Sequence, residues 1–291
     1  MRSAEDDPFV GVTALVTGAS SGIGREFARH LATKAASLIL VARRKDRLMA
    51  LAEELQSISG QLTIWTETVD LSDSAELDRF LEKVNVRGIS VDLLVNNAGL
   101  GDMGPFHTAS WKKVEQMLRV NILAATRIAW EVIPGMMKKK RGWIINVGSI
   151  AGFHPIPFFA VYAASKAYLN SFSESLYWEL SPYGITVTAV CPGPVATEFF
   201  DRACRRKEDG GVSLAPDFMW TTVHEVVEAA LRAARQGRPR VVPGMLPGIA
   251  ASFYAALPLA IWRMALRWKV PPERLRFEGS MGEGESGRTN G

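Results

Sequence analysis

Apolar residues fall along this chain in two alternating rhythms. Short runs rich in β-branched residues occur at Val12–Thr17, Ser37–Ala42, Ile64–Val69, Leu93–Asn96, Trp143–Val147 and Thr186–Val190. Each run is too short for a helix and most are continuously apolar, which predicts strands covered on both faces. Between them lie longer amphipathic stretches, of which Gly22–Lys34 and Leu48–Ser59 predict the first two helices. Strand and helix in strict alternation predict an α/β fold, a doubly wound parallel sheet. No repeat and no linker interrupts this pattern, so residues 10–244 are expected to form a single catalytic domain behind a short tail, 1–9.

The rhythm changes near the end. Met245 to Trp262 carries no charge and reaches the lower limit of a membrane-span candidate. Pro247, Gly248 and Pro258 interrupt it, and Arg263 and Arg267 follow, which predicts two short helices instead. Residues 245–270 therefore read as an apolar helical C-terminal extension. It would cover a substrate cleft, meet another subunit, or rest on a membrane surface through 245–268. Residues 271–291 hold little to bury and are expected to be a disordered tail.

Composition narrows the classes. Of 291 residues, 47% are hydrophobic and 22% charged, an ordinary globular balance. The net charge of +4 is scattered, and its densest run, Lys138-Lys139-Lys140-Arg141, reads as a solvated helix C-terminus. No nucleic-acid partner is expected, because no aromatic interleaving or known module accompanies that run. Cys191 and Cys204 cannot build a disulfide framework or a metal cluster, so no metal is expected. Acidic residues Glu5, Asp6 and Asp7 precede any apolar run, which argues against a secretory leader and makes a reducing cytoplasm the default.

The first strand runs into Thr17-Gly18-Ala19-Ser20-Ser21-Gly22-Ile23-Gly24 and then a helix. Glycines let a backbone approach a pyrophosphate closely, and the helix N-terminus supplies free N–H groups and a positive dipole end. Gly18, Ser20, Ser21, Gly22, Ile23 and Gly24 are thus candidate contacts of a dinucleotide, in a Rossmann-like setting. The same residues match G-x-S-x-G, the nucleophile elbow of α/β-hydrolases, which makes a hydrolase using Ser20 the competing reading. Such an enzyme needs a downstream acid and histidine, and neither His154 nor His224 sits in a recognisable triad context.

The end of the second strand selects the cofactor. A carboxylate there binds the ribose 2′-hydroxyl of NAD, whereas an arginine accommodates the 2′-phosphate of NADP. The chain has Val41-Ala42-Arg43-Arg44, with no acid before Asp46, which predicts NADP(H). Arg43 would pair with the phosphate and Arg44 would stack or add charge. Asp70 and Leu71 end the third strand on the adenine side, and Asn97, Ala98 and Gly99 follow the fourth, where they can hold a loop against the cofactor.

Transfer of a hydride to a carbonyl requires a proton donor at the developing oxyanion. Tyr162 and Lys166 stand four residues apart, on one face of a helix. A nearby ammonium is expected to lower a tyrosine pKa that is ordinarily near 10. Ser149, just after a strand, can donate a hydrogen bond to the same oxygen.

With these motifs in this order, the chain resembles the ordinary-length group of short-chain dehydrogenases/reductases from roughly Val10 to Gly244. The resemblance implies a catalytic tetrad of Asn121, Ser149, Tyr162 and Lys166. Tyr162 would act as acid/base, Lys166 would also hold the nicotinamide ribose, and Asn121 would hold a water that links the lysine to solvent. Pro192, Gly193, Val195 and Thr197 match the family's segment after the sixth strand, where Thr197 would meet the nicotinamide carboxamide. A homodimer or homotetramer through the central helices is implied as well. The loops at 100–106, 150–159 and 199–222 are rich in Met and aromatic residues, which points to a small lipophilic ketone or alcohol as substrate. A non-catalytic NADPH sensor is the third reading; it would tolerate the loss of Tyr162.

Overall fold

The computed structural model describes residues 7–205 and 220–269. Seven strands form one parallel sheet: β1 (Thr13–Thr17), β2 (Ser37–Ala42), β3 (Thr63–Thr68), β4 (Leu93–Asn96), β5 (Gly142–Val147), β6 (Ile185–Val190) and β7 (Arg240–Val241). They lie in the order β3-β2-β1-β4-β5-β6-β7. Six match the runs read from sequence, with ends displaced by one residue at most. β7 has only two residues and offers no periodicity to read; its register with Ala189 and Val190 of β6 defines it.

Burial on both faces explains the continuous apolar runs. Leu15, Ile39, Val41 and Leu94 point to one side, whereas Ala14, Val16, Leu38, Leu40, Leu93 and Val95 point to the other. On the second side pack α1 (Gly22–Ala32), α2 (Lys45–Ile58) and α8 (Val223–Arg235). On the first side lie α3 (Ser74–Val86), α5 (Ala125–Lys139) and the end of α6 (Ala160–Leu180). The edge strand β3 is half-exposed, as its mixed sequence Thr-Ile-Trp-Thr-Glu-Thr requires. The basic run after α5 is a helix terminus: Lys138 and Lys139 occupy the last turn and Lys140 closes it in the left-handed conformation.

Strand order, not strand direction, reverses between β1 and β4, whose outer neighbours are β2 on one side and β5 on the other. The crevice beyond the carboxyl ends of these strands is where open α/β sheets bind ligands. α4 (Trp111–Leu118) and α5 are joined through a π-helical segment, Arg119–Ala124, that contains Asn121. A π-bulge of this kind turns one side chain out of helical register.

The extension is two helices, as its prolines predict, but they divide differently from the expected boundary. Residues up to Ala255 form one compact unit, which includes nearly all of α9 (Met245–Ala256). Tyr254 joins that unit edge-on to His154, with ring centroids 4.5 Å apart. α10 (Leu259–Lys269) belongs to the second unit, Ala256–Gly291. Among the described residues no helix is long and apolar enough to cross a membrane. The expected tail, 271–291, lies outside the described residues.

Candidate active site

The glycine turn is shaped by contacts that exclude a side chain. A Cβ on Gly24 would lie 2.4 Å from both Asn97 Nδ2 and the Gly18 carbonyl. Gly18 itself has φ of +67°, and a Cβ there would meet Asn97 and Ala98 at under 3 Å. Asn97 therefore braces the turn from the next strand over: its amide donates to the carbonyls of Thr17 at 2.9 Å and Gly18 at 3.3 Å. The Thr17 hydroxyl accepts from the N–H groups of Asn97 and Ala98 and donates to the Val95 carbonyl. Thr17 is the residue that sequence reasoning missed here; an apolar strand ending in threonine carries no distinguishing signal. Ile23 packs onto the adjoining core and Ser20 is buried, so the turn is a preformed cradle of the kind a pyrophosphate needs.

The two arginines leave the chain in different directions. Arg44 lies over the turn, where its guanidinium donates to Ser21 Oγ at 2.8 Å and Ser20 Oγ at 3.1 Å. Arg43 points toward Asp70, 3.9 Å away. Asp70 is occupied locally, accepting from the N–H and hydroxyl of Ser72, while Leu71 is buried behind it. Arg44 also pairs at 2.9 Å with Glu198, whose carboxyl is held at about 2 by its hydrogen bonds with Arg47 and Arg44. Ser20 thus faces an arginine, not a general base. The four histidines lie elsewhere: His30 and His224 beside Glu26, His154 beside Tyr254, and His107 in a 3-10 turn. The hydrolase reading has no triad to use.

Ser149, Tyr162 and Lys166 meet at the end of β5, all buried. Ser149 caps a 3-10 turn by accepting from the Ala151 N–H at 3.0 Å, and its carbonyl accepts from Asn170. α6 places Tyr162 and Lys166 one turn apart, but the lysine does not tune the phenol as expected. Lys166 Nζ donates to the Val147 carbonyl at 2.7 Å and lies 5.7 Å from the Tyr162 ring centre. Burial pushes the phenol up to about 12, and a hydrogen bond with Ser149 only partly offsets that. Burial also pushes Lys166 down to about 8. Burial is the dominant influence on the phenol, so Tyr162 rests neutral.

Asn121 is clamped into the same corner. Its Oδ1 accepts from the Leu100 N–H at 2.8 Å, and its Nδ2 donates to the Leu100 carbonyl and to Ser165 Oγ, each at 2.9 Å. Gly99 sits between, since a Cβ there would fall 3.4 Å from Lys166 Nζ and 3.6 Å from Asn121 Oδ1. On the far side Pro192 accepts from the Ile150 N–H, Val195 is buried in a bridge with Thr221, and Gly193 lies between them in the chain. Thr197 Cγ2 stands 3.2 Å from where Gly22 would carry a Cβ, so this segment abuts the glycine turn.

Aromatic rings enclose the phenol. Phe159 stacks on Tyr162 with centroids 4.3 Å apart, and Phe199 lies at 5.3 Å. Met103, Met117 and Ala203 complete this small cluster. Phe199 is carried by α7 (Glu198–Ala203), which is fastened to the loop after β4 by a buried ion pair. There Arg205 grips Asp102 with two nitrogens, one at 2.9 Å, and reaches the Pro105 carbonyl. Asp102 and Arg205 are 103 residues apart, and nothing in the sequence pairs them.

The parallel sheet with its change of strand order between β1 and β4, the glycine cradle and the buried serine–tyrosine–lysine corner define a dinucleotide-binding α/β protein. The chain belongs to the short chain dehydrogenase family, whose model matches residues 12–208. Among curated proteins it is 38% identical over 182 residues to a very-long-chain 3-oxoacyl-CoA reductase of Coccidioides immitis, covering 62% of this chain and 52% of that one. It spans about half the length of the reductases it matches in this way. Among solved structures it is similar to a short-chain dehydrogenase from Sphingobium yanoikuyae in complex with NADPH, with TM-score 0.74, 32% identity and coverage of 96% and 98% of the two chains. A bulky-bulky ketone specific alcohol dehydrogenase from Comamonas testosteroni is 28% identical with TM-score 0.69, covering 96% and 97%.

Proposed function

We propose that this protein is an NADP(H)-dependent oxidoreductase that reduces the carbonyl of a lipophilic ketone, with long-chain 3-oxoacyl thioesters the first class to test. The observation that carries this reading is a phenol kept protonated inside an aromatic pocket: Tyr162, buried, raised to about 12 and stacked against Phe159. A proton donor in an apolar enclosure suits a neutral ketone, and would repel a charged group at the reacting end.

The residues fit the cofactor. Gly18, Gly22 and Gly24 would leave the turn open to a pyrophosphate, and Arg44, bonded to Ser20 and Ser21, would donate to a 2′-phosphate. Asp70, Leu71, Asn97, Ala98 and Gly99 would line the adenine and ribose side, and Pro192, Gly193, Val195 and Thr197 the nicotinamide side. NADPH, when bound, supplies the hydride that reaches the carbonyl carbon. Tyr162 gives its proton to the carbonyl oxygen, which leaves an alcohol. Ser149 donates a hydrogen bond to that oxygen as charge builds on it. Lys166 stabilises the phenolate that remains, and Asn121, through the loop at Leu100, holds the lysine's surroundings and a route for reprotonation.

Two surfaces support partners. Met245, Ile249 and Phe253 form one apolar face of α9, 80%, 65% and 77% exposed, which suits a peripheral lipid contact. Trp111, Leu123, Trp130 and Trp178 are exposed on α4, α6 and the segments between them, which suits self-association. Sedimentation with and without lipid vesicles reads both.

The test is NADPH oxidation with long-chain 3-oxoacyl-CoA and bulky ketones. Tyr162→Phe is expected to lower kcat by about 10²–10⁴-fold, while NADPH affinity stays within threefold. Arg44→Ala should weaken NADPH about tenfold or more and leave NADH unchanged. NADPH binding by the parent without reduction of any ketone would leave a dinucleotide-binding sensor as the better reading, and full activity in Tyr162→Phe would remove that tyrosine from the chemistry.

A further inference from the structure

Away from the crevice, helices α1 and α8 bring together a second set of chemically capable groups. Glu26 and His30 lie one turn apart on α1, and His224 and Glu228 lie one turn apart on α8. Each pair therefore shares a face of its own helix, and the two faces meet. Glu26 Oε1 stands 3.4 Å from His30 Nδ1 and 3.4 Å from His224 Nδ1. The three donor atoms all lie within 4.8 Å of one another. The imidazoles lie side by side, tilted by 46°, with centroids 4.9 Å apart.

We propose that Glu26, His30 and His224 form a site for a divalent transition-metal ion such as zinc, with Glu228 orienting His224 from behind. The argument begins with spacing. Ligands about 2.05 Å from a tetrahedral zinc are separated by about 3.3 Å, and two of the three separations are 3.4 Å. The third closes by movement of His224, which is exposed in the first turn of α8 and free to adjust. Two imidazoles and one carboxylate are a familiar donor set, with a fourth position left for water.

The surrounding groups divide the labour. Arg29 approaches Glu26 from the other oxygen, Oε2, at 3.5 Å, so Oε1 remains directed at the histidines. Glu228 lies 3.6 Å from His224 Nε2, the nitrogen turned away from the site. A carboxylate behind a ligating imidazole fixes the tautomer that presents Nδ1 to a metal. His30 Nδ1 is also 3.1 Å from the Glu26 carbonyl, so binding exchanges that contact for the metal bond. The neighbouring cations Arg29 and Arg232 are each already paired, with Glu54 and Glu228 respectively.

An ion here would pin α1 to α8. Since the glycine cradle opens α1, with Gly24 two residues before Glu26, the site would stabilise the cofactor half of the fold without touching the reacting atoms. The inference is independent of the oxidoreductase reading and stands if that reading fails.

The experiment uses the full chain, stripped with a chelator and titrated with zinc alone by calorimetry and by thermal unfolding. One ion per chain is expected, with a dissociation constant in the micromolar range or below, and a midpoint that rises with zinc concentration. His224→Ala, at an exposed position, and His30→Ala should each weaken binding at least tenfold. Glu228→Gln should weaken it less, and NADPH affinity of all three variants should match the parent. Absence of saturable binding, or binding of equal strength in His224→Ala, would overturn the proposal.

Discussion

The two walls of the crevice are built by different means. The wall proposed for the cofactor consists of main-chain atoms and short side chains at the ends of neighbouring strands: Thr17 and Gly18 at the end of β1, Gly24 in the first turn of α1, and Asn97 and Ala98 just after β4. Its parts are fixed as soon as β1 pairs with β4. The substrate wall is built from rings on separate segments, and α7 is held in place by Asp102–Arg205 and Arg44–Glu198 ion pairs. One wall is a consequence of sheet register, the other of a few long side chains. The first should resist everything except added volume, and the second should respond to lost charge.

The largest effect is therefore expected from Gly24→Ala. Its Cβ would overlap Asn97 Nδ2 and the Gly18 carbonyl at 2.4 Å, and the carbonyl belongs to the turn itself. Overpacking of this kind costs about 1–3 kcal/mol, and relief by displacing the turn removes the phosphate cradle. NADPH binding followed by fluorescence should weaken by well over tenfold, with a clear drop in the unfolding midpoint. Gly60→Ala, where an added Cβ meets nothing within 4 Å, is the control. Unchanged NADPH affinity in Gly24→Ala would mean that the cofactor wall is as pliant as the other.

The second wall is broken by Asp102→Asn. The Asp102 side chain is 3% exposed, and its loss of charge leaves the Arg205 guanidinium partly buried beside a neutral amide. Removing one partner of a buried pair costs up to about 3–5 kcal/mol; Arg205 reaches some solvent and Lys113 stands near, so about 1–3 kcal/mol is expected. The KM for a lipophilic ketone should rise several-fold as α7 and Phe199 loosen, with NADPH affinity within twofold of the parent. Parallel losses for ketone and NADPH would show that Arg44–Glu198 couples the walls into one unit.

This contrast also explains how much could be read beforehand. Strands such as Ser37–Ala42 and Leu93–Asn96 were legible to the residue, because burial on both faces leaves an uninterrupted apolar run. The glycine turn was legible because its requirement, absence of a side chain, is written in single letters. Asn121 was not legible from residues alone: its position depends on a π-helical segment that no local pattern announces, and only the family resemblance picked it out. Which of Arg43 and Arg44 lies over the turn was not legible, since it depends on where β2 ends and on Glu198, 154 residues away. The Tyr162 shift was misjudged for a related reason. Four-residue spacing brings Lys166 close, but only the packing tells that both groups lose their water and that the ammonium is spent on Val147.

Lys166 stands where the two walls meet, and pH gives the gentlest test of how dry that seam is. Burial lowers its pKa from an ordinary 10.5 to about 8, so the folded state binds fewer protons than the unfolded state between those values. Stability rises with pH wherever the unfolded chain holds more protons. The cost of the buried ammonium is thus fully present below about 8 and fades as pH climbs toward 10.5. Tyr162 and Cys191 work in the opposite direction at higher pH, because burial raises both to about 12 and their unfolded counterparts ionise first. Those contributions are shared with a Lys166→Met variant and largely cancel in the difference. Relative to Lys166→Met, the parent should gain about 1–3 kcal/mol between pH 8 and 10, measured by denaturant unfolding. A flat difference would mean that the ammonium keeps its water, that the seam is wet, and that Tyr162 is recharged directly from solvent with no need of a route past Asn121.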